Sequence, residues 1–109
     1  MRQLRYTSQF EKEIKKFDSQ AKEDIFLLVQ RYLSGEQLPK TLFKTFSIER
    51  GIKIQEFKVK DSRGNWRVIS CLLDKESITF IYAFHKKSQK LLDKDKKLIA
   101  KRVKELRNA

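Results

Sequence analysis

The chain has 109 residues, with 26 Lys or Arg against 14 Asp or Glu, for a net charge of +12. Its 39% hydrophobic and 11% aromatic content is too high for a disordered basic tail, and its length suits one domain, residues 1–109. Such a charge excess points to nucleic acid or an acidic protein as partner. A membrane is disfavoured, because there is neither a basic amphipath of the lipid-binding kind nor an apolar run of about 20 residues.

Leu4 and Tyr6 alternate with polar neighbours, which predicts a short first strand. Ser8 and Glu11 have capping-box spacing, and Phe10, Ile14 and Phe17 follow as the apolar stripe of a short helix. Asp18 or Ser19 caps a second helix with Ala21, Ile25, Leu28, Val29, Tyr32 and Leu33 on one face, and Gly35 ends it. From Glu36 to Arg50 there is no clean period, so a connection is expected, with Leu42, Phe43 and Phe46 tucked against the core.

From Ile52 the period changes to two. Ile52 and Ile54 share one phase and Phe57 and Val59 the other, which means either a bulge near Glu56 or a strand buried on both faces. The Asp61–Asn65 cluster turns the chain into a strand from Trp66 to Leu73, and Asp74–Glu76 turns it again into a strand from Ser77 to Phe84. A last helix, Asp93 to Arg107, aligns Leu92, Ile99, Val103 and Leu106. The order β-α-α-β-β-β-α predicts an α+β fold, a small antiparallel sheet with two N-terminal helices packed on one face and a C-terminal helix.

Cys71 is the only cysteine and His85 the only histidine, so neither a disulfide framework nor a zinc site is expected. The carboxylates are scattered, which argues against a Mg²⁺ or Ca²⁺ cage. No signal peptide opens the chain, and a reducing cytoplasm is the natural setting. The expected chemistry uses no metal and no cofactor.

Several residues stand out against this frame. Arg67 sits in a strand of Trp, Val, Ile, Cys and Leu, and either snorkels from a sheet edge or has a specific task. Lys58 lies across a tight hairpin from it, and two adjacent cations repel unless an anion compensates. Glu56, two residues before Lys58, shares its face, and serves either as a general base or as the cations' structural partner. Beyond Phe84 come His85, Lys86, Lys87 and Lys90, a concentrated phosphate-binding rim. Trp66, Tyr82 and Phe84 offer rings for base stacking or fill the core.

The segments Glu56-Phe57-Lys58, Asn65 to Val68 and Ala83 to Lys90, with Ala100 and Arg102 in the last helix, resemble the RelE/ParE toxin superfamily. The closest likeness is to its HigB-like, phage-Gp49-like branch. The resemblance implies a toxin of a type II toxin–antitoxin pair, paired with a helix-turn-helix (HigA-like) antitoxin. It implies a ribosome-dependent mRNA endoribonuclease: a ribose 2′-OH attacks the adjacent phosphate and leaves a 2′,3′-cyclic phosphate and a 5′-OH, with no metal.

Arg67 then matches the family's strand arginine and would hold the phosphate, and Lys86 would help to polarise it. Lys58, Lys87, Lys90 and Trp66 would bind RNA. Relatives fill the base role with Lys, Glu or His, so Glu56 and His85 compete, His85 being preferred because imidazole titrates near neutrality. The aromatic residue that many relatives carry near the C-terminal end has no counterpart after Phe84. The alternatives are a ParE-like gyrase poison and a non-enzymatic basic nucleic-acid-binding module.

Overall fold

In the computed structural model, which describes residues 2–86 and 91–108, the two caps predicted near residues 8 and 18 initiate helices. The first follows strand β1 (Gln3–Tyr6) as α1 (Ser8–Ile14). Its cap is Thr7 rather than Ser8: Thr7 is extended and its hydroxyl accepts the Phe10 N–H at 3.1 Å. Helix α2 (Ser19–Leu33) is capped by Asp18, which accepts the Ala21 N–H at 2.8 Å. Gly35 follows its end at φ +90°, a conformation that glycine adopts without a Cβ clash.

The stretch expected to be an irregular connection contains strand β2 (Phe43–Ile48). It pairs antiparallel with β3 (Ile52–Asp61), from Phe43 opposite Phe57 to Ile48 opposite Ile52. As an outer strand it is only partly buried, so selection for strict alternation is weak. Strand β4 (Gly64–Leu72) and β5 (Ser77–Lys86) complete the meander. β1 adds to the far edge of β5 in parallel, Gln3 opposite Ser77 to Tyr6 opposite Phe80. The sheet thus has five strands in the order β1-β5-β4-β3-β2, antiparallel except at β1.

The change of phase in β3 has a simple cause. Its register against β2 and β4 runs without interruption, so there is no bulge at Glu56. Both of its faces are covered instead. Phe57 joins Val68, Trp66, Ile78, Phe80 and Ala83 under α1 and α2, whereas Ile54 joins Ile69, Cys71 and Ile81 under α3 (Asp93–Arg107), which contributes Ile99 and Val103. At about 1.5–3 kcal/mol for each large apolar side chain buried, each cluster is a substantial source of stability.

The irregularity lies between β4 and β5, where Ile69 faces Tyr82 but Ser70 faces Phe80. Ile81 is the extra residue, so it and Tyr82 both face α3. Beyond the end of β1, backbone groups of β5 are taken up by side chains from both helical layers. Arg102 donates to the Ile81 carbonyl at 2.8 Å, Glu13 accepts the Ala83 N–H at 3.2 Å, and the two form a doubly bonded ion pair at 2.8 Å. An otherwise open strand edge is closed by this clasp. Among the described residues no helix is long and apolar enough to cross a membrane.

Candidate functional site

Arg67 stands opposite Lys58 in the β3–β4 register, the proximity expected from the hairpin. It does not snorkel, because β4 is the middle strand of five. The side chain is 2% exposed, and its Nη1 donates to Glu56, itself 3% exposed, at 2.5 Å. Glu56 is therefore the anion that makes two neighbouring cations tolerable. Arg67 Nε has no hydrogen-bond partner among the described residues. Lys58, partly open, has its ammonium pKa lowered by burial first, then by Lys44 and Arg67, against the opposing pull of Glu56.

Phe84 completes the row on the next strand, opposite Arg67. It stacks on Tyr82 with ring centroids 4.4 Å apart, and the Lys86 ammonium lies 5.3 Å from its centroid. Lys86 is ion-paired with Asp95, in the first turn of α3. Asp95 is 3% exposed and also accepts the Tyr82 hydroxyl at 3.0 Å and the Leu92 N–H at 3.2 Å. Burial by itself pushes the Asp95 carboxyl up, but the bonds from Lys86, Tyr82 and Leu92 together hold it below its usual range. The Tyr82 hydroxyl is pushed well up, by burial first and then by its bond to Asp95, so it keeps its proton. The Arg102 guanidinium lies 4.8 Å from the Tyr82 centroid.

The other sheet face at the same strand ends carries a different group. Trp66 and His85 are cross-strand partners, and their rings stack at 3.8 Å with an interplanar angle of 10°. Trp66 packs edge-on against Phe17 and donates from Nε1 to Asp61 at 2.8 Å. His85 Nε2 lies 2.8 Å from the Arg63 carbonyl, which can only accept, so Nε2 carries the hydrogen. Gly64, at φ +126°, begins this strand pair; a Cβ there would sit 2.5 Å from the Lys86 carbonyl oxygen.

Glu56, Lys58, Arg67 and Lys86 are thus brought to one face of the sheet, which also carries the Tyr82–Phe84 stack. Trp66 and His85 are on the opposite face, since successive residues of a strand alternate. The His85 side chain is therefore on the other side of the sheet from those of Lys58 and Lys86. Lys87 and Lys90 lie outside the described residues. Asp95, which joins β5 to α3, was missed by sequence reading. Its only signal was an acid in the first turn of a basic helix, where the helix dipole favours it.

As folded, this face presents lysine ammonium groups that can bind a phosphate, beside a pair of stacked aromatic rings. Among the described residues no group of three or more His, Cys, Asp or Glu could hold a metal ion. No curated protein and no solved structure gives a significant match to the chain. Residues 12–104 match the family described as phage derived protein Gp49-like (DUF891). With that match over most of its length, the chain belongs to the Gp49-like family, the HigB-like toxin group of the RelE/ParE superfamily.

Proposed function

We propose that this toxin is a ribosome-dependent mRNA endoribonuclease whose site is the α3-facing side of β3, β4 and β5. Support comes from one observation above all: Lys58 and Lys86 share a single sheet face with the Tyr82–Phe84 stack, in a chain with net charge +12. The messenger's phosphate sits between the two amines, beside the Tyr82–Phe84 stack. Lys58, shifted toward its neutral form by burial and two cations, takes the 2′-OH proton. The 2′-oxygen bonds to phosphorus, the bond from phosphorus to the 5′-oxygen breaks, and the Lys86 ammonium stabilises the charge that builds up and protonates the leaving oxygen. Arg67 and Glu56 form the buried floor, an ion pair whose opposite charges compensate each other. Such a toxin has an antitoxin partner, here a helix-turn-helix protein that masks or distorts the cationic face.

Primer extension on messages from cells induced for the chain alone is the test. Cuts at codon boundaries that require translation, lost in Lys58→Met and Lys86→Met, are expected; growth arrest without such cuts overturns the proposal. A gyrase poison is the second reading, and it is favoured by the mutual burial of Arg67 and Glu56, which leaves the matched arginine closed to substrate. Inhibition of purified gyrase with intact messages decides for it.

A further inference from the structure

We propose that Asp95 is a positioning residue of the cleavage site: it pins the Lys86 ammonium over Phe84 and fixes the Tyr82 ring on which Phe84 stacks. The proposal rests on the endoribonuclease reading above. An aspartate in the first turn of a helix is usually a cap, and Asp95 does accept the Leu92 N–H at 3.2 Å. A cap, however, normally faces solvent. Asp95 is 3% exposed, and its carboxylate reaches across to a neighbouring strand, accepting the Lys86 ammonium at one oxygen and the Tyr82 hydroxyl, 3.0 Å away, at the other.

The lysine side chain has four rotatable bonds and is poorly ordered unless something holds it. Bound to Asp95, the Lys86 ammonium has two protons left for a phosphate oxygen. It also has a fixed place, 5.3 Å from the Phe84 centroid. Tyr82 is held likewise, between its bond to Asp95 and the Arg102 guanidinium 4.8 Å from its ring. The carboxylate therefore orders a cation and an aromatic platform at the same time. It brings a negative charge to a site that binds a polyanion, which opposes substrate binding. Positioning and affinity thus pull in opposite directions, and that makes the role measurable.

Asp95→Asn keeps the shape and removes the charge. On translating ribosomes with a defined message, the full-length variant is expected to lose about 100-fold in turnover, the scale of a catalytic group displaced by about an ångström. Its KM should be unchanged or lower. Lys86→Met/Asp95→Asn should be no slower than Lys86→Met, since Asp95 acts through that amine. A second readout needs no cleavage: in the variant, acylation of Lys86 by a succinimidyl ester, followed by mass spectrometry, should speed up about tenfold.

Turnover that falls only in proportion to the folded fraction overturns the proposal and leaves a cap. Turnover that rises also overturns it, since Asp95 would then merely neutralise Lys86. Lys86 acylation unchanged in Asp95→Asn shows that no pin exists. If the wild-type chain makes no cuts while Lys86 is still released by the substitution, the endoribonuclease reading fails, and the catalytic purpose of the pin fails with it.

Discussion

The two faces of the sheet at the ends of β4 and β5 are built from alternate residues of the same short segments, yet they do opposite things. On the α1–α2 side Trp66 is held by Phe17, His85 and Asp61, and its polar atoms are used up internally. On the α3 side Lys58 and Lys86 keep charged groups near the surface, above an ion pair buried out of reach. One face locks the strand ends; the other leaves chemistry available. Adjacency in sequence is therefore a poor guide to adjacency in a strand, and Phe84, His85 and Lys86 are the clearest example.

The α3 face depends most heavily on its buried floor. Glu56→Ala leaves Arg67 charged, covered and unpaired, which should cost about 3–5 kcal/mol in urea-induced unfolding. Glu56→Leu with Arg67→Met should recover most of that loss, because an apolar pair of similar volume tolerates the same site. If Glu56→Ala is instead as stable as wild type, the pair is not the structural floor described here.

Next in size is the contrast in activity between the faces. Lys58→Met should reduce cleavage about 100-fold, within the usual range for a general base. His85→Gln should change it less than about threefold, since its ring faces away from that phosphate, an outcome ordinary for a substitution outside the chemistry. The reverse order would return the base role to His85. A smaller effect should appear in stability: His85→Ala loses the stack on Trp66, about 0.5–1.5 kcal/mol, read from the shift in urea midpoint.

Much of the fold was legible because the signals were local. Asp18 and Gly35 marked the ends of α2, and the alternating phases of β3 pointed to two covered faces as one of two options. β2 was not legible, since Phe43 and Phe46 are three apart and an edge strand need not alternate. Nor was the parallel pairing of β1, whose partner β5 lies more than 70 residues away, as in Gln3 opposite Ser77. Within the site, the contact of Lys58 with Arg67 followed from a tight hairpin. The separation of His85 from Arg67 depended on the β4–β5 register, and a bulge at Ile81 hides that register from any count along the chain.

The quietest test concerns the apolar core beneath α3. Cys71 is fully buried there, and burial pushes its thiol up to about 11, against an ordinary value of 9.0. Between those two values the unfolded chain gives up the thiol proton and the folded chain keeps it. Stability is therefore lost as pH rises above 9, by up to roughly 1.4 kcal/mol per pH unit, and the slope flattens near 11. Lysines and tyrosines titrate over the same range, so the difference between wild type and Cys71→Ala is the quantity to measure. That difference should be flat from neutral pH to 9 and then shrink, since the variant has no thiol to ionise. In the folded protein at neutral pH, a disulfide reagent should modify Cys71 only at the rate of unfolding. Rapid labelling would mean that α3 leaves the sheet easily, and the α3 face would then lack the rigid cover that holds Lys86 and Tyr82 in place.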